Sequence, residues 1–283
     1  MDISPGSVRR RSRKIAPVIA PQVDTATHKN QLLGAFPADV RLRIEDHLHP
    51  VDFSLGDTVC EAGGLLTHAY FPQGGVLSLL TVLADGSEIE CANIGREGAF
   101  GLFAAMYSGV SYNRCTVQLQ GPILRCAIEP LRDEFRASAE LQNLFVSFSE
   151  TLLSQVMQTV ACNALHLVEE RLCRWLLMMH DRAEGEQLTY THEFLARIMG
   201  VNRTSITLAA QSLQNAGLIK YRRGLMQIED RLGLEKAACE CYAIVKSRFD
   251  VFLTPPASAF QDVVNNRVNN LTAGVFAAAP RHG

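Results

Sequence analysis

The sequence has no strong excess of charge of either sign and no apolar run suited to crossing a membrane. Its 283 residues carry 27 Lys and Arg against 29 Asp and Glu, a net charge of −2, which excludes a histone-like polycation. One long uncharged run, 151–168, contains Ser, Gln, Asn and His side chains that are costly in hydrocarbon, so it predicts a helix in water. No apolar segment of signal-peptide length follows the basic cluster at residues 9–14, and the sequence predicts a cytoplasmic protein.

Motifs for catalysis or a metal centre are also lacking. No nucleotide-phosphate loop, Gly-x-Ser-x-Gly elbow or zincin motif is present, so the sequence predicts no enzyme. His47 and His49 have the spacing of a metal pair, but they lie in a predicted helical segment without a following Glu, which favours capping roles. Cys239 and Cys241 have no matching second pair, so we expect a helix surface and no zinc site. The eight cysteines are not spaced as a disulfide framework, and one reactive thiol among them stays possible.

Composition and turn signals predict two domains of the α+β class. Hydrophobic residues make up 47% and charged residues 20%, enough for a sizeable core. A basic mobile tail over 1–30 precedes a segment, 31–137, that begins with a helical pattern to about His49. Short apolar runs such as 76–83 and 116–119 then alternate with Gly-rich turns, which predicts a β jelly roll or barrel. Residues 251–283 predict a flexible C-terminal tail.

A long helix is predicted over 138–165, and it is apolar on two faces. One stripe steps by four, three and four residues, as helical periodicity requires, and consists of Leu141, Phe145, Phe148 and Leu152. A second stripe consists of Val146, Leu153, Val156 and Val160. One face packed on its own domain and the other on a partner helix would satisfy both, so we predict a dimerisation helix; a helix buried in one monomeric core is the alternative.

Residues 166–250 contain the strongest pattern, a helix-turn-helix. Thr191 is suited to cap a first helix that Gly200 ends, and Asn202 is suited to cap a second helix over 203–215 that stops before Gly217. The small Ala196 permits close helix crossing, Ile206 fills the space between the helices, and Leu195, Met199 and Leu213 complete the apolar underside.

A hairpin should follow the second helix. The segment 218–228 turns near Arg223 and Gly224, which predicts a winged helix-turn-helix. An ordinary helical hairpin packed on a β-ribbon is the alternative.

Basic residues cluster in this part of the chain. Residues 188–248 contain nine Lys and Arg against five Asp and Glu, a net +4, so the remainder carries −6. A basic module is what affinity for DNA phosphates requires. The start of the second helix would enter a major groove, with Asn202, Arg203, Thr204, Ser205 and Thr207 in reach.

The predicted contacts differ in kind. Arg203 has the fork geometry to pair with guanine O6 and N7, whereas Thr204 and Ser205 could contact base edges or phosphates. We expect contacts to the DNA backbone from Thr191, His192, Arg222 and Arg223.

A β-rich domain, a long helix and a winged helix-turn-helix with Ala196, Gly200, Arg203 and Ile206 resemble the Crp/Fnr family of bacterial transcription regulators. The resemblance covers about residues 30–250. It implies a homodimer on a palindromic operator, RNA polymerase as a partner, and a signal at the β domain that repositions the DNA-binding halves.

The same resemblance predicts the position of an effector pocket in the β domain. Gly98, Ala99 and Gly101 match the frame of the family's phosphate-binding loop, and Arg114 with Cys115 follows. Ala99 stands where a cAMP-binding relative has Glu, and Cys115 replaces a small hydroxyl residue, so cAMP binding of the usual kind is not expected and no cofactor is evident. A shifted loop that uses Glu97, or barrel turns with Arg114 as an ion-pair partner, are the alternatives. Fe–S sensing in the family uses cysteines near the N-terminus, and this chain has none before Cys60.

Two other function classes compete with this interpretation. One is a metal-dependent jelly-roll enzyme, and the other is an interaction module that does not bind DNA. A DNA binder should lose affinity linearly in log salt, and the others should not.

Overall fold

The computed structural model describes residues 28–107, 109–183, 185 and 187–253. Most of the predicted N-terminal tail, and the C-terminal tail after 253, lie outside these residues. The predicted boundary at residue 30 is wrong, because Asn30 is fully buried and its amide nitrogen donates to the backbone oxygens of Pro72 and Gly98 at 2.9 and 2.8 Å. Its Oδ1 accepts from the N–H of Leu33 and caps the first helix.

The predicted helical pattern to His49 is broken in two by Pro37. Helix α1 (Gln31–Gly34) is followed by α2 (Ala38–Ile44), with Pro37 as its N-cap, and by a 3-10 turn at Glu45–His47. A proline is tolerated at the start of a helix but not inside one, since it lacks a backbone N–H. His47 therefore lies in the turn, and His49 lies on a strand rather than on the predicted helix.

The β domain consists of two antiparallel sheets. Its strands are β1 (Leu48–Val51), β2 (Thr58–Cys60), β3 (His68–Pro72), β4 (Val76–Val82), β5 (Glu88–Ile94), β6 (Arg114–Leu119) and β7 (Ile123–Ala127). One sheet has the order β1-β7-β3 and the other β2-β6-β4-β5. Two short helices, α3 (Leu102–Met106) and α4 (Ile128–Ala137), flank them. Phe71, Leu77 and Ile94 are buried in the core between these elements. The predicted α+β class with a β-rich N-terminal domain is confirmed.

Helix α5 (Ala139–Leu165) begins at Ser138, whose Oγ accepts from the N–H of Leu141 at 3.2 Å. The predicted first stripe, Leu141, Phe145, Phe148 and Leu152, is at most 5% exposed and belongs to the chain's own core. These four residues therefore form the face that packs on the chain's own domain, one of the two faces predicted for this helix. The second stripe is the open one, since Val146, Leu153 and Val160 are 48, 52 and 65% exposed, while Val156 is half-buried.

The C-terminal domain continues directly from α5. It comprises α6 (Val168–His180), β8 (Gln187–Thr189), α7 (His192–Met199), α8 (Arg203–Asn215), β9 (Ile219–Arg222), β10 (Leu225–Ile228), α9 (Arg231–Ala237) and α10 (Cys241–Phe252). Helix α10 packs back on α5, with the rings of Phe148 and Phe252 6.0 Å apart. The predicted start of the C-terminal tail at 251 is two residues early, because α10 extends to Phe252. No helix in the described ranges is long and apolar enough to span a membrane.

Candidate nucleic-acid interface

Helices α7 and α8 are delimited by the predicted capping residues. Thr191 Oγ1 accepts from the N–H of Phe194 at 3.1 Å, and Asn202 Oδ1 accepts from the N–H of Ser205 at 2.8 Å. Gly200 ends α7 with φ +65°, and a Cβ there would lie 2.8 Å from Ile89 Cδ1 of the β domain. The left-handed backbone angle of this turn favours glycine, whereas the Ile89 side-chain end could shift to admit a Cβ.

The underside of the motif is apolar, as the spacing predicts. Leu195 and Ile206 are fully buried, Leu213 is 1% exposed, and Ala196 and Met199 are 4 and 6% exposed. Their burial leaves the opposite face of α8 to solvent. The relative orientation of the two helices is thus set by core packing and not by surface charge.

The exposed face of α8 begins with Asn202, Arg203 and Thr204, all of which are exposed. The Arg203 side chain is 71% exposed, and its Nε lies 4.0 Å from an exposed Glu193 carboxylate oxygen, so the guanidinium is open to a ligand. Ser205 is half-buried next to the cap, and its Oγ donates to Asn202 Oδ1 at 3.0 Å.

Two residues on this face were missed by the sequence analysis. Leu208 is 61% exposed, and Gln211 is exposed one turn further along the helix. They stand four and seven residues after Thr204, so helical periodicity alone would have placed them on its face. An apolar side chain can contact a thymine methyl group and an amide can pair with adenine.

His192 and Thr207, both predicted to contact DNA, are half-buried and contact each other within the motif. The Thr207 hydroxyl donates to the Arg203 carbonyl at 3.0 Å, and His192 Nδ1 lies 3.1 Å from the same hydroxyl. The His192 ring stacks on Tyr221 of the wing, 4.2 Å between centroids and 20° between planes. Burial lowers the pKa of His192, with a further lowering from Arg203, which favours the neutral ring. Both residues therefore support α8 against the wing.

The wing is a two-residue hairpin at the predicted position. Arg223 and Gly224 have φ +52° and +83° between β9 and β10, the pattern of a type I′ turn. Arg222 and Arg223 are exposed at the tip, and the Gly224 carbonyl of the tip accepts from the N–H of Tyr190, directly before the α7 cap Thr191. Two cationic side chains on a protruding turn are suited to phosphate contacts.

The fold and this site together define a protein with a winged helix-turn-helix and a separate β domain. Residues 170–237 match the Crp-like helix-turn-helix domain. A search of curated proteins gave no match.

Solved structures of regulators share the fold. A Crp/Fnr-family transcriptional regulator from Eubacterium rectale is 22% identical, with a TM-score of 0.58 over 73% of this chain and 96% of that one. The c-di-GMP responsive regulator CLP of Xanthomonas campestris is 20% identical, with a TM-score of 0.56 over 69 and 100%. FixK2 of Bradyrhizobium japonicum is 12% identical, with a TM-score of 0.59 over 68 and 98%. Residues 170–237 thus form the Crp-like helix-turn-helix that the sequence resemblance predicts, and the described part of the chain shares the fold of these regulators.

The predicted effector residues are largely paired or buried. Arg114 Nε donates to Glu61 and Arg114 Nη1 donates to Glu88, both at 2.7 Å. Arg114 is therefore an ion-pair partner, which was the alternative to a phosphate ligand. Cys115 is fully buried and Ala99 is 2% exposed. A phosphate at Arg114 would have to displace two carboxylates.

The loop glycines serve packing. A Cβ on Gly98 would lie 2.5 Å from the ring of Phe148 on α5, so glycine is required for the close approach of that helix. Gly101, with φ +93°, precedes the short helix α3. Glu97 does not point to a ligand either, because its carboxylate binds Arg182 of the C-terminal domain.

Strand β5 joins the two domains through alternate carboxylates. Glu88 binds Arg114 of the β domain and also lies 3.2 Å from Arg197 Nε on α7. Glu90 accepts from the indole N–H of Trp175 on α6 at 3.1 Å. The β domain thus contacts both helices that support the recognition helix.

The predicted helix-surface position of Cys239 and Cys241 is wrong. Both are buried, 7 and 0% exposed, rather than on a helix surface. The fold brings Cys162 and His166 from the end of α5 to within 4.8 Å of them. Sequence spacing missed this group because Cys162 and Cys239 are 77 positions apart.

Proposed function

We propose that the protein acts as a homodimer that reads a palindromic operator and is modulated by a signal at its β domain. The observation that carries this proposal is the exposed start of α8, where the Arg203 side chain is 71% exposed, together with the two exposed arginines of the wing tip. Arg203 would read a base edge, and Arg222 and Arg223 would hold the phosphate backbone. Thr191 Oγ1 lies at the start of α7 and could donate to a phosphate while it caps the helix.

A second copy of the chain would cover the open face of α5. The exposed residues on this face recur at steps of four and three, namely Val146, Glu150, Leu153, Met157 and Val160. This spacing is that of a coiled-coil seam, and the apolar members are 48 to 65% exposed. A parallel pair of α5 helices would bury them.

Two-fold symmetry of the dimer sets the form of the operator. Each α8 would enter the major groove of one half-site, and the half-sites would be inverted and about 34–36 Å apart, one turn of the duplex. The C-terminal domain is attached at the end of α5, so the dimer helix would fix the spacing of the two recognition helices.

The signal would act through the contacts of β5. Glu88 and Glu90 link the β domain to α7 and α6, so a ligand that moves β5 would tilt the helix-turn-helix. Cyclic AMP of the usual kind is not favoured, since Ala99 offers no carboxylate and Arg114 is already paired. Contact with RNA polymerase in the cytoplasm completes the proposal, on the strength of the family resemblance.

Binding to selected operators tests the proposal. Oligonucleotide selection followed by fluorescence anisotropy should yield an inverted repeat, bound with an affinity that falls linearly in log salt. Leu153→Glu should give monomers that bind the operator weakly, while Leu42→Glu, at a 77% exposed position remote from the seam, should leave both properties unchanged. A wild-type monomer in solution, or selection that yields no repeated motif, would contradict the proposal.

A further inference from the structure

One histidine and three cysteines converge where the end of α5 meets the start of α10. Their ligand atoms, the Sγ atoms of Cys162, Cys239 and Cys241 and a ring nitrogen of His166, all lie within 4.8 Å of one another. The three cysteines are buried and form a small cluster of their own, separate from the main core. Thiolates and imidazole are the groups that bind zinc most often in proteins.

Two distances in the cluster fit a tetrahedral site. With Zn–S of about 2.3 Å and Zn–N of about 2.0–2.1 Å, tetrahedral edges are about 3.8 Å between two sulfurs and about 3.6 Å between sulfur and nitrogen. Cys162 Sγ lies 3.6 Å from Cys239 Sγ, and Cys241 Sγ lies 3.5 Å from His166 Nδ1. These two pairs form opposite edges of a tetrahedron. The other pairs need to close by at most about 1 Å.

The surroundings of His166 match those of a metal ligand. Its Nδ1 faces Cys241, while its Nε2 lies 3.4 Å from a carboxylate oxygen of Glu240. A histidine that binds zinc commonly donates its other N–H to a carboxylate, which fixes the tautomer and the ring orientation. Gln158 Nε2, 3.1 Å from Cys241 Sγ, supplies a further donor to a thiolate.

Two buried arginines supply the charge that such a site would need. Arg171 and Arg174 are each 8% exposed, and Arg174 Nη2 donates at 2.8 Å to the hydroxyl of Thr159, three residues before Cys162 on α5. Neither has a carboxylate within 4.0 Å in the described part of the chain, and the Nε of each is buried without a hydrogen-bond partner there. Three thiolates, a neutral imidazole and Zn²⁺ carry a net charge of −1, which would offset the buried positive charge.

We propose that Cys162, His166, Cys239 and Cys241 bind one Zn²⁺ ion per chain in a closed tetrahedral site. A disulfide between Cys162 and Cys239 would use only two of the four converging groups and would not account for the His166–Glu240 pair. The ion would tie the segment between α9 and α10 to the end of α5, from which the DNA-binding domain extends. The site is independent of the proposed operator binding.

Metal content and Co²⁺ spectra of the full-length chain test the proposal. Protein purified under reducing conditions should contain one zinc per chain by native mass spectrometry. After removal of zinc, Co²⁺ should produce thiolate-to-cobalt charge-transfer absorption and the intense visible bands of a tetrahedral ion, and Zn²⁺ should displace both. Reduced protein that takes up neither ion, or that contains a Cys162–Cys239 disulfide instead, would overturn the proposal.

Matched variants locate the site. Cys239→Ala should abolish the tetrahedral cobalt spectrum, whereas Cys173→Ala, which removes a buried thiol of α6 outside the cluster, should retain one ion per chain. Glu240→Gln should keep the spectrum and lower zinc affinity about 10- to 100-fold. Retention of the spectrum by Cys239→Ala, or its loss in Cys173→Ala, would overturn the assignment.

Alkylation of the wild-type chain gives a result that does not depend on folding of the variants. Zinc should protect Cys162, Cys239 and Cys241 from a thiol reagent by a large factor over chelator-treated protein, and should leave Cys60 of β2 unchanged. Equal reactivity of the three cysteines with and without zinc would overturn the proposal, whatever the outcome for operator binding.

Discussion

Trp175 of the DNA-binding domain donates its indole N–H to the buried carboxylate of Glu90 in the β domain, at 3.1 Å. Ser78, Gln118 and Asn93 also donate to this carboxylate, so one acidic group collects donors from both domains. Burial raises the pKa of Glu90 despite these hydrogen bonds, which lower it. The contact between the domains therefore contains a titratable centre.

The protonation of Glu90 should be visible in the fluorescence of Trp175, the single tryptophan of the chain. Since the folded-state pKa is raised, the stability from this group is fully present below the ordinary Glu pKa and is lost as pH rises through the folded pKa. We expect a fluorescence step above the ordinary Glu range that Glu90→Gln abolishes. An identical titration in wild type and variant would contradict this.

Glu97 and Arg182 should show the opposite pH dependence. Burial alone would raise the pKa of Glu97, but Arg182 and the Gly95 N–H hold it below its ordinary value. The stability it contributes is present above the unfolded-state pKa and is lost as pH falls through the folded pKa. Glu97→Gln should cost about 3–5 kcal/mol in the free energy of unfolding at pH 7, because Arg182 is left buried without its partner.

Denaturant unfolding at several pH values measures the Glu97 effect. The difference in unfolding free energy between wild type and Glu97→Gln should decrease as the solution becomes acidic. Asp39→Asn is the control, because Asp39 pairs with Arg43 in an exposed i,i+4 bridge and its loss should change little. A difference in unfolding free energy that does not change with pH would show that the loss of stability in Glu97→Gln is not due to the charge of Glu97.

Replacing Arg203 and Arg222 by Ala should change different properties of DNA binding. Arg203→Ala should cost about 1–3 kcal/mol in specific binding and relax preference at one base pair. Arg222→Ala should weaken all sequences alike and reduce the salt slope by about 1. Binding-site selection with each variant measures these two effects. If Arg203→Ala selects the same sequence motif as the wild type, Arg203 does not contact a base.

Leu208 should contribute to DNA binding without contributing to stability. Leu208→Ala removes apolar area that is 61% exposed in the free protein, so the unfolding free energy should change by less than about 0.5 kcal/mol. We expect weaker operator binding, largest at a site with a thymine methyl in reach. If the protein binds operators with thymine and with uracil equally well at every position, Leu208 does not contact a thymine methyl group.

Glu150 should weaken the proposed dimer. It occupies a seam position between Val146 and Leu153, where a two-fold axis would bring two carboxylates together. Glu150→Leu should tighten the dimer by at least about tenfold in Kd, as measured by analytical ultracentrifugation. Weaker association would indicate that α5 pairs in another register.

Local structure in the helix-turn-helix was predictable because each signal acts over a few residues. Thr191 and Asn202 cap their helices, and Gly200 ends the first one, through hydrogen bonds and backbone angles that depend on near neighbours. The buried Ile206 follows from helical periodicity. Pro37 shows where such local signals fail, because this one proline divides the helical pattern that the sequence predicts up to His49 into two short helices.

Side-chain surroundings were less predictable where distant segments meet. The sequence predicts phosphate contacts for His192 and Arg114. In the structure His192 stacks on Tyr221 and contacts Thr207, and Arg114 is paired with Glu61 and Glu88. No spacing rule links these partners.

The sequence alone determined the two-domain order, the helix-turn-helix with its wing, and the presence of two apolar stripes on α5, because periodicity and capping are properties of neighbouring residues. Only the tertiary structure decided which stripe is open, that Glu90 and Glu97 join the domains, and that Cys162 and His166 meet Cys239 and Cys241. These outcomes depend on how α6 and α10 pack on α5 and β5, and packing sums contacts between residues far apart in the chain.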